Sequence, residues 1–301
     1  MLYQNITCMC RVLKIIDRKR QKYNISCRPP AHIWMEKIMA IISKTSFGES
    51  VRITTWGNQP RFNKFDPFEV GKHTRSTKVG LIIAPSTSAG EGFGRIRKNG
   101  IGGSVIRAEG ILLNSAGMAG IIQTADCPVI VIRNPKNGKV MMTHAGRAAL
   151  TPGRMPNGTL HNIVSKVYQM VLGDSNPAYL QTHITACICG KCFVHDFHGS
   201  EEYIKSFDKF GPTVFTNRAR GELDMKAVIV KQLTGFGVMR ENITWDSKCT
   251  KETSGLSSLR KGSSSRNTIV VERLSWKEQD APPTSGAPFI FIFFKIIFCH
   301  H

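Results

Sequence analysis

The sequence predicts a mixed α/β fold. Two patterns carry that expectation: short apolar runs rich in Val and Ile, and longer segments in which apolar residues return every three to four positions. A third observation narrows it, because no self-similarity appears at periods of 20–50 residues, which disfavours solenoids and propellers. The 301 residues, 41% of them hydrophobic, are enough to bury a sizeable core. They exclude a disordered chain and a disulfide-stapled miniprotein, and without a run of eighteen apolar residues they give no conventional membrane span.

In chain order, Ala119–Gln123 and Pro128–Ile132 are short and apolar, and Lys139–Thr143 follows across Asn134-Pro135-Lys136-Asn137-Gly138. Two β-rich runs joined by five Pro/Asn/Gly-rich residues signal a hairpin. Leu160, Ile163, Val167, Met170 and Val171 repeat at helical spacing, which predicts a helix over 158–172. A strand is expected over 181–188, helices over 201–210 and 224–234, and a final strand over 268–271. Asp224 suits the start of its helix, where a carboxylate meets the positive end of the dipole.

The ends differ from this middle. Residues 1–38 form a basic N-terminal extension that breaks at Arg28-Pro29-Pro30, and 276–301 combine a Pro/Ser/Gly linker with the apolar run Phe289–Phe298. The domain is expected over 39–275. No secretory h-region or cleavage site is found, and nine cysteines is an odd count, so a reducing cytoplasm is expected.

A formal charge of +20 first suggests nucleic acid. More than half of the excess falls in the first hundred residues, densest at Arg18, Lys19, Arg20 and Lys22, where a solvated tail is the simpler reading. The rest is a hint of an anionic small molecule.

Three places concentrate reactive side chains. Thr124-Ala125-Asp126-Cys127-Pro128 lies between two strands, and Thr143-His144-Ala145-Gly146-Arg147 ends the strand after the hairpin. A hairpin sets these segments side by side, so thiol and imidazole can share a pocket, either as nucleophile and base or as two ligands of a zinc ion. The bland alternative is a buried small hydrophobe and a strand-end histidine. The third place, Cys187-Ile188-Cys189-Gly190-Lys191-Cys192-Phe193-Val194-His195-Asp196-Phe197-His198, reads as C-x-C-x-x-C-x-x-H-x-x-H and could hold zinc alone, or be buried strand cysteines. The glycines between Gly90 and Gly103, near Arg95, Arg97 and Lys98, form either a phosphate cradle or a plain loop. Arg260 and Arg266, in a Ser/Gly-rich stretch after Cys249-Thr250, could recognise phosphate or flank a turn.

Together, and in this order, the segments resemble the laccase-domain family, also called multicopper polyphenol oxidoreductases or YfiH-like proteins, over about 105–273. Its TADC-P-V-L-L strand resembles Thr124–Ile130, its HAGWRG-L element His144–Leu150, and its I-G-P-x-I-G-P-C-C-Y segment Ile184–Phe193. Its L-D-L-K helix start is similar to Leu223-Asp224-Met225-Lys226, and its S-Y-R-R…G-R-N-A end to Ser258-Leu259-Arg260-Lys261…Ser265-Arg266-Asn267.

The resemblance implies a layered α/β sandwich of the YfiH-like type, related to cysteine hydrolases. It implies purine nucleoside phosphorylase activity on adenosine, inosine, guanosine or methylthioadenosine, with adenosine deaminase activity beside it. Purine nucleoside and phosphate are the partners it implies; nucleic acid and membrane are not expected, and a monomer is. Residue by residue, Cys127 and His144 are carried over as catalytic and metal-binding, and Cys192 as a pocket cysteine. Asp126, Arg147, Arg260 and Arg266 are the substrate- and phosphate-binding candidates, and the metal is zinc, or copper in the family's older reading as phenol oxidases. The chain also departs from the pattern. No histidine lies between His73 and His144, so His73 is the sole core candidate for the family's upstream ligand, and Arg147 and Ala148 replace the family's Trp and Arg. These departures keep two alternatives open, a metal-free cysteine hydrolase or inactive member, and a basic zinc module acting on nucleic acid through Cys187–His198.

Overall fold

The computed structural model describes residues 41–47, 50–59, 78–83, 103–107, 109–154 and 160–274. The basic extension, the apolar tail, His73 and the glycines between Gly90 and Gly102 lie outside the described residues.

Val129-Ile130-Val131-Ile132 is apolar without alternation because both of its faces are covered. Val129 and Val131 join a core with Phe47, Ile53, Met142, Ile269 and Val271, whereas Ile130 and Ile132 join a second core with Val164, Val167, Val228 and Leu233. This strand, β7 (Val129–Arg133), belongs to a five-stranded sheet with β5 (Gly110–Leu113), β8 (Val140–His144), β11 (Gln181–Ile184) and β14 (Ile243–Trp245), in the order β14-β11-β7-β8-β5. One face packs on a six-stranded sheet of order β1-β2-β15-β6-β3-β4, from β1 (Ile41–Phe47), β2 (Val51–Gln59), β3 (Lys78–Ile83), β4 (Gly103–Arg107), β6 (Met118–Thr124) and β15 (Arg266–Arg273). The other face carries the helices, chiefly α2 (Ile163–Leu172) and α4 (Met225–Gly235), after the short α1 (Arg147–Leu150) and α3 (Ser200–Lys205). Sheet, sheet and helices make the layered α/β sandwich. Two-stranded pieces, β9 (Gly153–Arg154) with β10 (Leu160–His161) and β12 (Phe215–Asn217) with β13 (Glu222–Leu223), sit between these elements in the chain.

The expected hairpin forms, with Val129 opposite His144 and Arg133 opposite Val140. Its turn is tied to the helix layer. Buried Asn134 donates through its amide to the carbonyls of Val171 and Leu172 at 3.0 and 2.9 Å, taking up orphan acceptors at the end of α2. Gly138, at φ +67, closes the turn in a conformation L side chains rarely adopt.

Boundaries depart from the periodicity where side-chain hydrogen bonds compete with it. Helix α2 starts at Ile163, not 158, because Asn162 is its N-cap: it accepts from Val164 and Ser165, and Ser165 accepts back from Asn162 in a capping box. Asp224 caps α4 as expected, accepting from Lys226 and Ala227. The strand expected over 181–188 ends at Ile184. The helix expected over 201–210 stops at Lys205, and the separate short turn Asp208–Phe210 follows, with Phe207 and Phe210 both in the core. Strands β1 and β2 have no counterpart in the sequence reading, since they mix Ser, Thr, Lys and Arg with apolar residues and offer no continuous apolar run.

Asp246, just past β14, ties the two sheets. Its carboxylate accepts from the Ser43 hydroxyl of β1 at 3.0 Å and the Ala186 N–H at 3.2 Å, and lies 3.7 Å from His183 Nε2. Burial alone would raise its pKa, but hydrogen bonding and charge attraction from His183, with Ser43 and Ala186, overcome that and hold it below 3.8. A depressed carboxyl stabilises the fold fully above its unfolded pKa and loses that contribution as pH falls through the folded value. Asp246→Asn should therefore cost about 1–3 kcal/mol at neutral pH in urea unfolding, with the gap to the parent narrowing below about pH 4. An equal gap at both pH values would contradict this role.

Candidate active site

The hairpin delivers His144 and Cys127 to one place. His144 ends β8 opposite Val129, and the Ala145 N–H donates to Pro128 O at 2.9 Å, so the two segments run together past the strand ends. A Cβ placed on Gly146 would lie 3.1 Å from His144 Nε2 and 3.2 Å from Cys127 Sγ, so both atoms face the same small space. Behind the ring, buried Glu109 accepts at 3.2 Å from Nδ1. A carboxylate only accepts, which puts the proton on Nδ1 and turns Nε2 toward the thiol. Burial pushes the His144 pKa down, but hydrogen bonds to Cys127 and Glu109 and their charges carry it up to about 9.

The sequence reading did not single out Glu109. It is one acidic residue between β4 and β5, and only the pairing of β5 with β8 brings it to His144, with its carbonyl accepting from the Thr143 hydroxyl and the His144 N–H at 2.8 Å.

Beside this trio stands a wall of rings. Phe193, Phe197 and Tyr203 surround His195 with centroid separations of 4.5, 6.0 and 5.6 Å. Arg147 lies over Tyr203 and Phe197 at 4.7 and 5.2 Å, and Arg260 over Phe193 at 5.4 Å, both within cation–π range. His195 donates from Nδ1 to Gly221 O at 2.9 Å, and burial, with Arg147 and Arg260 nearby, lowers its pKa, so it stands neutral in the wall. Burial pushes the Tyr203 phenol up to about 12, and its hydroxyl feels both Arg147 and Cys127. Thiol, imidazole, rings and two guanidiniums thus adjoin.

Asp126 has a different part from the one expected of it. Its buried carboxylate accepts from the Thr250 hydroxyl at 2.8 Å and from the Arg260 N–H at 3.3 Å, and its carbonyl accepts from Ile188 N–H at 3.0 Å. It fastens two loops to the segment carrying Cys127. The Arg266 guanidinium turns to the carbonyls of Ser264 and Ser265 in its own loop. The Cys192 sulfur meets Glu252 at 3.4 Å. Burial first, then its hydrogen bond to Cys189, the charge of Cys249 and the hydrogen bond to Glu252, push that thiol up to about 12. Cys187 is fully buried, and His198 is exposed. The linear C-x-C-x-x-C-x-x-H-x-x-H reading therefore does not form as a unit: Cys189 and Cys192 gather with Cys249 and Glu252, while His195 packs among rings.

A soft thiol and an imidazole whose far nitrogen is held by a carboxylate fit two positions of a tetrahedral zinc site. Among the described residues the one group of three or more ligand side chains lies elsewhere, and His73, the expected third ligand, lies outside them.

Residues 84–270 match the model of the family described as multi-copper polyphenol oxidoreductase laccase. A purine nucleoside phosphorylase of Streptomyces coelicolor is 26% identical over 136 residues, covering 44% of this chain and 51% of that protein. One of Streptomyces griseus is 30% identical over 77 residues, covering 26% and 28%. The chain thus spans about half the length, or less, of the curated relatives it matches. Among solved structures, YlmD of Geobacillus stearothermophilus shares the fold at TM-score 0.55 and 16% identity, covering 75% of this chain and 93% of that one. A Neisseria meningitidis protein of the DUF152 family model does so at 0.55 and 15%, covering 77% and 99%, and Bacillus licheniformis YfiH at 0.51 and 16%, with the same coverage.

The fastening at Asp126 is testable without a substrate. Thr250→Val keeps the shape and removes the hydroxyl, leaving a buried carboxylate short of a partner, and should cost about 1–3 kcal/mol in denaturant unfolding. Thr250→Ser should recover most of it. A loss in Thr250→Ser with none in Thr250→Val would mean that the methyl group, not the hydrogen bond, holds the loop.

Proposed function

The chain belongs to the multi-copper polyphenol oxidoreductase laccase family, and from that premise we propose that it is a purine nucleoside phosphorylase. The observation that carries the reading is the joining of the Cys127, His144 and Glu109 trio to an aromatic wall capped by two guanidiniums. A purine needs a flat apolar surface, which Phe193, Phe197 and Tyr203 offer. Phosphate needs cations, and Arg147 and Arg260 stand at those rings with forks that can take two oxygens each. In the reaction a phosphate oxygen bonds to C1′ while the C1′–N9 bond breaks. The bonding pair stays on the purine, which takes up a proton, leaving free base and ribose 1-phosphate.

Catalysis by this site is chiefly positioning and charge. Stacking fixes the base, the arginines hold the phosphate monoanion or dianion on one side of C1′, and burial of His144 and Glu109 keeps the local dielectric low. Cys127 and His144 are the proposed metal ligands, with His73 as third and zinc, rather than copper, as the metal. Zinc there would supply Lewis acidity toward a water or a substrate oxygen, the chemistry a deaminase needs at C6 of adenosine. Adenosine deamination and methylthioadenosine cleavage are thus part of the proposal.

One observation favours a second reading. A thiol, an imidazole and a carboxylate in series form a nucleophile, a base and an orienting group, the arrangement of cysteine hydrolases. Phosphate dependence separates the two.

Incubated with inosine and phosphate, the protein should release hypoxanthine and ribose 1-phosphate, and neither should form when phosphate is withheld. Release without phosphate would support hydrolysis instead, and no release from folded protein would overturn both readings for this nucleoside. Arg147→Ala should raise KM for phosphate about tenfold or more, the loss of one charge-assisted contact of about 1.5–3 kcal/mol. Gly146→Ala, at a φ of −66 that suits alanine, drives a methyl to within 2.7 Å of the His144 ring. It should lower kcat about a hundredfold by displacing the ring, with little change in Tm.

A further inference from the structure

Outside the Cys127 and His144 pair, one cluster has no part in the reading above. The ligand atoms of Cys189, Cys192, Cys249 and Glu252 all lie within 4.8 Å of one another. We propose that these four side chains bind one zinc ion, which staples the loop after β11 to the loop after β14.

Distances support this first. Tetrahedral zinc, with bonds of about 2.3 Å to sulfur and about 2.1 Å to a carboxylate oxygen, places sulfur and oxygen about 3.6 Å apart. The Glu252 carboxylate spans two sulfurs at 3.4 Å, Oε1 to Cys192, and 3.9 Å, Oε2 to Cys189. With all four ligand atoms within 4.8 Å of one another and tetrahedral zinc setting sulfurs about 3.8 Å apart, the site needs a contraction of at most about 1 Å, not a rearrangement.

Two tight turns aim the ligands inward. In Cys189-Gly190-Lys191-Cys192 the N–H groups of Cys192 and Phe193 both donate to Cys189 O at 3.0 Å, curling the C-x-x-C so that its sulfurs converge. Gly190 is needed in that curl, because a Cβ there would come within 2.7 Å of Thr216. In Cys249-Thr250-Lys251-Glu252 the Thr253 N–H closes on Cys249 O at 2.8 Å, making a second x-x pair. The two turns are joined by the parallel bridge of Cys187 with Cys249, and the Cys189 N–H donates to Cys249 Sγ at 3.3 Å, as backbone amides do to ligating sulfur.

Chemistry selects the ion. Three thiolates and one carboxylate favour zinc over magnesium or calcium, which take oxygen ligands. Without a cation, Glu252 has no reason to face sulfur: it is exposed, and water would solvate it better than two weak thiol donors. Lys191, Lys248 and Lys251, adjacent in sequence, offset the charge of about −2 that four anionic ligands leave around Zn²⁺.

The consequence reaches the candidate pocket. Cys192 precedes Phe193 of the aromatic wall, and Cys249 precedes Thr250, which holds Asp126. Zinc in this cluster would hold both loops in register.

The test uses the full chain. Wild type loaded with cobalt(II) should show thiolate-to-cobalt charge transfer and tetrahedral d–d bands. In Cys127→Ala, which removes the thiolate of the candidate pocket, the bands should remain, and the Cys189→Ser, Cys192→Ser double variant made on that background should lose them and one equivalent of zinc by elemental analysis. Bands that persist in the double variant on the Cys127→Ala background overturn the proposal. Should the double variant fail to fold, two further measurements decide. Glu252→Gln, changed at an exposed position, should keep sulfur ligation yet yield zinc to a competing chelator at about tenfold lower chelator concentration. In chelated wild type, added zinc should slow alkylation of Cys189, Cys192 and Cys249, read by peptide mass. No protection, unchanged zinc retention in Glu252→Gln, a disulfide among the three cysteines, or iron or copper in place of zinc would each overturn the site.

Discussion

The buried carboxylate of Asp126 is the constraint on which the candidate site depends. A charge at 7% exposure is tolerated only when its acceptor capacity is used, and here the Thr250 hydroxyl and the Arg260 N–H use it. Its own carbonyl takes the Ile188 N–H. Three stretches far apart in sequence, 124–128, 185–192 and 249–261, thereby meet one residue before Cys127. The aromatic wall and the cationic rim arrive with them, since Phe193 follows the second stretch and Arg260 lies in the third.

The layered core does the same for the other half of the site. Because β7 is covered on both faces, its register is set by two cores at once, and a slip by one residue would exchange Val129 and Val131 with Ile130 and Ile132 between sheet and helix layers. That register fixes His144 opposite Val129 and so beside the segment of Cys127. The edge strand β5 then adds Glu109 behind the imidazole. His144, set on the end of a strand in a double-sided sheet, is held more firmly than a loop residue would be.

Cysteines divide between two environments. Cys127, half-buried, faces His144 and shares a hydrogen bond with it. Cys189, Cys192 and Cys249 face one another and Glu252, a setting that suits a shared cation and not a nucleophile. Arg147 and Arg260 lie over aromatic faces beside the trio. No helix among the described residues is long and apolar enough to cross a membrane.

Sequence by itself determined the hairpin, the α4 cap at Asp224, the final strand and the closeness of Cys127 to His144, because each depends on residues close in the chain: a turn, a cap, a short apolar run. The family was legible too, from motifs kept in order around those elements. Tertiary structure alone decided what needed distant residues to meet. Glu109 gave no local signal, Asp126 turned from substrate candidate to fastening once Thr250 and Arg260 reached it, and Cys189 with Cys192 found partners about sixty residues away rather than in the neighbouring histidines. The strands β1 and β2 escaped the sequence reading for the related reason that half-exposed β1, with its Ser, Thr and Lys, and buried β2, with its Arg and Thr, have their apolar residues gathered only when a second sheet packs on them. Periodicity reports how a segment folds on itself; which charges and thiols are buried together is settled by the layers that close over them.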